Sequence, residues 1–104
     1  MYFLSINKYK PGADRGKINT TIPLHREWVR QQIASGTLVQ AGKWGDRGGM
    51  IVIKTNTREE ADRVVDRDPL VEAELITFET AELHPHERFV HLPDFTHLQP
   101  RRLH

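Results

Sequence analysis

Cysteine is absent from the 104 residues, which excludes disulfides, thiolate nucleophiles and Cys-ligated zinc, and suits a reducing compartment. Long apolar runs are absent too. The stretch Met1-Tyr2-Phe3-Leu4-Ser5-Ile6 falls far short of the roughly 20 residues a membrane span needs, and nothing in it resembles a secretory signal. Charge of one sign is also lacking. Fifteen basic residues against fourteen acidic ones leave a formal charge of +1, too little to recruit nucleic acid or an anionic membrane. The expectation is a cytoplasmic protein with neither nucleic acid nor membrane as partner.

What is present is an ordinary globular composition, 38% hydrophobic and 28% charged, at a length that fits one domain. Tyr2 to Tyr9 is rich in aromatic and β-branched residues and predicts a strand buried on much of both faces. Lys10 to Asn19 carries Pro11, Gly12 and Gly16 among charged residues and reads as a loop. A helix is expected from Thr20 or Thr21, with Pro23 in its first turn and Leu24, Trp28, Val29 and Ile33 at helical spacing. Gly36 would end it. Thr37 to Trp44 and Gly48 to Thr55 then predict a hairpin around Gly45-Asp46-Arg47.

Thr57-Arg58-Glu59-Glu60 has the capping-box pattern of a helix start, and Ala61, Val64 and Val65 give that helix an inward face. It should stop before Asp68-Pro69, since a residue preceding proline is pushed out of the helical region. Glu74 to Leu83 alternates as a last strand. The order βαββαβ defines an α+β, ferredoxin-like fold: a four-stranded antiparallel sheet with two helices on one face. The other face would be bare, and Ser5, Ile51, Ile53, Ile76 or their neighbours would need a cover. A second copy of the chain is the expected cover, giving a homodimer or higher homo-oligomer. Residues 1–84 form the expected domain. Residues 85–104 read as a tail, with Leu92, Phe95 and Leu98 able to anchor it on a partner subunit.

Three stretches, in this order, resemble the YCII-related family: a histidine early in the first helix, a Gly-x-Leu leading into a strand and on to a glycine, and an Asp-Pro after the second helix. Here they are His25, Gly36-Thr37-Leu38 running on to Ala41-Gly42, and Asp68-Pro69. The resemblance covers about residues 1–83. It implies a dimeric α+β barrel, two ferredoxin-like sheets packed face to face, with a pocket between helices and sheet in each subunit. It also implies a site that pairs His25 with Asp68. The related muconolactone isomerases and chlorohydroquinone dehydrochlorinases imply acid–base work on small cyclic organic acids or phenols. Where the family often has a proline after the glycine, this chain has Lys43 and Trp44, which alters the expected pocket.

Histidine suits such work because its ordinary titration range brackets neutral pH, and a carboxylate on one ring nitrogen would fix the tautomer of the other. From the residues alone, His25 is an exposed first-turn histidine and Asp68 caps or ends a helix; the resemblance puts the pair ahead. Tyr9 and Trp44 are the expected pocket walls, Trp28 is expected in the core, and Lys43 either pairs with a substrate carboxylate or lies in solvent. His84, His86, His91 and His97 make a histidine-rich end that could hold zinc or nickel, but tail histidines are commoner than tail metal sites, and no metal or cofactor is expected. Gly45-Asp46-Arg47-Gly48-Gly49 lacks the Lys-Ser/Thr of a phosphate loop and reads as the hairpin turn. The reading is a small-molecule pocket protein, a His/Asp lyase or isomerase acting on a small cyclic or aromatic acid. The alternative is a binding or accessory protein that uses the same pocket without catalysis.

Overall fold

Alternation sorts the residues of β1 (Tyr2–Tyr9) between two faces, with Phe3, Ser5 and Asn7 buried on one and Leu4 and Ile6 half-buried on the other. In the computed structural model, which describes residues 1–86, β1 is followed by α1 (Arg15–Ala34), β2 (Leu38–Lys43), β3 (Gly48–Lys54), α2 (Arg58–Asp66), α3 (Pro69–Glu72) and β4 (Ile76–Leu83). All pairings are antiparallel and the strand order is β2-β3-β1-β4. This is the ferredoxin-like arrangement, with the helices on one face of the sheet. The tail residues Leu92, Phe95 and Leu98 and the histidines His91 and His97 lie outside the described residues.

α1 begins earlier than the sequence suggests. Asp14 is its N-cap and accepts the Lys17 N–H at 2.9 Å, so the stretch expected to be loop as far as Asn19 is helical from Arg15. Its cap lies among Pro11, Gly12 and Gly16, residues that mask a helix start. Pro23 therefore falls inside the helix rather than in its first turn. Upstream of it, Thr20 and Thr21 both donate their hydroxyls to the Lys17 carbonyl, at 3.0 and 2.6 Å. Gly36, with φ of 83°, ends the helix as expected, and two bonds close the end: the Gly36 N–H donates to the Ile33 carbonyl and the Thr37 N–H to the Gln32 carbonyl, each at 3.0 Å.

The inward line of α1 runs through Ile18, Ile22, His25 and Val29, with Trp28 beside it in the core. Leu24 and Ile33, though spaced to join that line, point to solvent at 62% and 47% exposure. α2 starts on half of the expected capping box. Thr57 accepts the Glu60 N–H at 3.1 Å, but the Glu60 carboxylate takes the Asn56 N–H, at 3.4 Å, instead of the cap's own.

The main core joins Phe3, Leu38, Ile51 and Ile53 of the sheet to Trp28, Ala61 and Val65 of the helices, and a second cluster holds Leu70, Leu75 and Ile76. Ser5, Ile51, Ile53 and Ile76 thus lie under the helices. Their neighbours Leu4, Ile6, Met50 and Val52 face the other way, and no helix of the described residues lies over them. Among the described residues no helix is long and apolar enough to cross a membrane.

Two local devices position the strands. The pairing of β2 with β3 slips between Leu38 and Gln40, and this bulge lets Leu38, Ala41 and Lys43 share the helix side of the sheet. At the start of β3, a Cβ on Gly48 would run into the Asn7 carbonyl, so glycine lets β1 and β3 close together there. Gly48→Ala is expected to lose about 1–3 kcal/mol of stability, the usual cost of forcing extra atoms into a packed place. Urea unfolding measures it, and an unchanged midpoint would contradict this account of the strand approach.

Candidate functional site

Proline at position 69 has no N–H to offer, so the first free donor of α3 is that of Leu70. Asp68, the N-cap, accepts it through Oδ1 at 2.9 Å. The carboxylate is almost wholly withdrawn from water, its residue only 3% exposed, and such a group needs further donors to be tolerable. The second donor comes from α1: His25 Nδ1 lies 2.8 Å from Asp68 Oδ1. His25 sits mid-helix rather than in a first turn, because α1 starts at Arg15. Its ring also neighbours Trp28, with centroids 6.2 Å apart and planes inclined by 33°.

An ionised carboxylate can only accept, so the hydrogen between the two groups belongs to Nδ1, and the neutral ring keeps Nε2 as a bare nitrogen. The His25 side chain is 22% exposed against 4% for Asp68. The pair therefore has a buried half and an accessible half. The accessible half lines a cavity of about 580 Å³ bounded by α1, the ends of β1, β2 and β3, and Leu70 of α3.

Tyr9 and Lys43, both expected at the site, line this cavity with His25, and Asp68 stands behind the histidine rather than on the surface. Trp44 is not brought to it. It is 49% exposed and lines a smaller depression with Ile6, Lys8 and Phe78. The bulge in β2 is the reason: strict alternation from Leu38 would put Trp44 on the helix side, whereas the slipped register gives that side to Lys43.

The cavity also holds residues that the sequence did not single out. Arg26 and Arg30 reach it from α1; neither stands at the three- or four-residue spacing from His25 that would mark a shared helix face in sequence. Asn7 lies in its floor. Its Oδ1 accepts the Gly49 N–H at 3.1 Å, leaving the amide N–H₂ as a donor beside the cavity. Opposite, Ala41 and Gly49 contribute almost no side chain. Among the described residues no three histidine or acidic side chains come together as metal ligands would.

Comparison with known proteins bears on the fold and the family. In structure the chain is similar to a 5-chloro-2-hydroxyhydroquinone dehydrochlorinase from Burkholderia phenoliruptrix AC1100, solved with 2,5-dihydroxybenzoquinone. The TM-score is 0.67 at 19% identity, over 81% of this chain and 94% of that one. It is similar to muconolactone isomerase, with a TM-score of 0.68 at 18% identity, over 90% of this chain and 99% of the other. An antibiotic biosynthesis monooxygenase aligns at a TM-score of 0.52 and 15% identity, covering 82% of this chain and 100% of that one. No curated protein sequence matches the chain. The model of the YCII-related domain matches residues 1–82, from β1 through all but the last residue of β4, and on that match the chain belongs to the YCII-related family.

Proposed function

We propose that the cavity is a small-molecule site in which His25 moves a proton on a small cyclic or aromatic acid, as a lyase or isomerase would, with Asp68 orienting it. The observation that carries the reading is the 2.8 Å hydrogen bond from His25 to a buried carboxylate, on a ring that also lines the cavity. Family membership and the resemblance in fold to an isomerase and a dehydrochlorinase support it as analogy.

The chemistry follows from the tautomer. Nε2 takes a proton from a carbon next to a carbonyl, and the electron pair left behind moves toward the carbonyl oxygen. In an isomerase the proton then returns to a different carbon; in a lyase the pair expels a leaving group such as halide. As the ring becomes imidazolium, both ring nitrogens donate, and the Asp68 carboxylate stabilises the new charge without taking the proton itself. Lys43 and Tyr9 belong to the same reading as substrate-contacting residues, and Trp44 does not.

The uncovered sheet face carries the second part of the proposal. Leu4, Ile6 and Met50 are half-buried on this face and Val52 beside them is buried; a second copy of the chain would cover what they leave open, giving the face-to-face barrel.

Three measurements test these readings. Turnover of lactones or halogenated hydroquinones is expected from the purified protein, and His25→Ala should lower it by about 10²- to 10⁴-fold, the range of general acid–base catalysis. Ligand binding with no turnover would instead favour the non-catalytic pocket. Nitrogen-15 spectra of the neutral His25 ring should show hydrogen on Nδ1 in the wild type, and Asp68→Asn should mix the tautomers. A ring protonated on Nε2 in the wild type would defeat the proposed base. Sedimentation should give about twice the chain mass of 12.1 kDa, reverting toward the monomer in Ile6→Glu; a monomeric wild type would remove the barrel.

A further inference from the structure

The chain is almost neutral as a whole, at fifteen basic to fourteen acidic residues, but its cavity is not. Arg26, Arg30 and Lys43 line it against a single carboxylate, Asp46. Charge concentrated in this way in a cleft beside a proton carrier favours an anionic ligand. Arg30 is partly committed, since its guanidinium hydrogen-bonds Glu27 at 3.3 Å on the exposed side of α1. Arg26 and Lys43 have no hydrogen-bond or ion-pair partner for their side chains among the described residues. They also come from opposite walls, Arg26 from α1 and Lys43 from the end of β2.

The floor between those walls has its own shape. Gly49 adds no side chain, and a Cβ there would lie 3.2 Å from the Gly42 carbonyl and 3.5 Å from the Asn7 amide. With Ala41 beside it, little side chain projects from this stretch of sheet apart from the Asn7 amide, which is held against Gly49 by its hydrogen bond. A puckered ring would sit on it poorly, while a planar one could lie against it and leave one edge for the cations.

We infer that Arg26 and Lys43 form an anion cradle that makes the His25 cavity select a planar ring bearing one carboxylate, an inference that rests on this cavity being the ligand site proposed above. The Arg26 guanidinium presents a planar pair of N–H donors that matches a carboxylate, and Lys43 adds a point charge from the other side. The Asn7 amide is the remaining donor for a ring substituent. The two cations set specificity and take no part in the proton transfer.

The test is a binding titration of the 104-residue chain with benzoate, benzamide and cyclohexanecarboxylate, followed through the ring signals of His25. Benzoate should bind about tenfold or more tightly than benzamide, as a charge-assisted hydrogen bond implies. It should also bind more tightly than cyclohexanecarboxylate. Arg26→Gln and Lys43→Gln should each reduce the preference for benzoate over benzamide, and the double variant should abolish it while benzamide affinity stays the same. Equal affinity for benzoate and benzamide, or a preference unchanged in the double variant, would overturn the cradle. Equal binding of cyclohexanecarboxylate would overturn the demand for planarity. None of these readings uses turnover: a preference that persists in a protein without His25-dependent catalysis would uphold the cradle and defeat the proposed reaction, and the opposite combination would do the reverse.

Discussion

A carboxylate that is 3% exposed is the most demanding group in this structure. Taking such a charge from water costs several kcal/mol unless donors replace the lost hydration. Asp68 has two donors, and they come from different parts of the chain: the Leu70 N–H just after it and the His25 ring from forty-three residues away. The first is available because Pro69 opens α3 with no N–H of its own. The second requires α1 to lie against the start of α3. Meeting the needs of one buried charge thus docks the long helix at the place where the second helix breaks, and the cavity is the space left between that docked helix and the sheet.

The sheet contributes by what it withholds. Gly48 allows β1 and β3 to approach where the cavity begins, and Gly49 and Ala41 add almost no side chain to its floor. Asn7 is buried in the same region, and it is tolerated because its carbonyl oxygen accepts the Gly49 N–H. The glycines that an isolated sequence presents as a turn therefore have a second role as a surface. The bulge in β2 completes the arrangement by assigning a lysine to the cavity side and a tryptophan to the other.

Much of the fold was legible because its signals are local. The alternation of β1, the glycine after α1, the hairpin glycines and the Asp-Pro break each carry their meaning within a few residues, and together they give the βαββαβ order. What was not legible depends on context. Asp14 caps a helix from within a stretch whose proline and glycines argue for a loop, so the start of α1 was placed too late and His25 was read as a first-turn residue. A bulge leaves no fixed mark in sequence, so nothing there separates the neighbours Lys43 and Trp44, of which only the lysine lines the cavity. The proximity of His25 and Asp68 came only from family resemblance; no spacing rule brings together residues so far apart. Arg26 and Arg30 are not singled out by the sequence, because nothing in a linear sequence distinguishes a helix face turned to water from one turned to a cavity.

The same fold in an isomerase, a dehydrochlorinase and a monooxygenase implies that the arrangement of strands and helices does not select the reaction. It supplies a helix laid across a sheet and a cavity at one end of the strands. Chemistry must then reside in the few side chains that this frame aims inward. Here the frame aims a histidine held by a buried carboxylate and surrounds its accessible half with more positive charge than the chain carries on average. The histidine is suited to moving a proton but has no means of choosing a ligand; the cations can choose a ligand but have no means of moving the proton. His25 and Arg26 are consecutive residues of α1, and Lys43 lines the same cavity from the end of β2, so the docking that satisfies Asp68 also fixes where a bound anion would lie relative to the proton carrier.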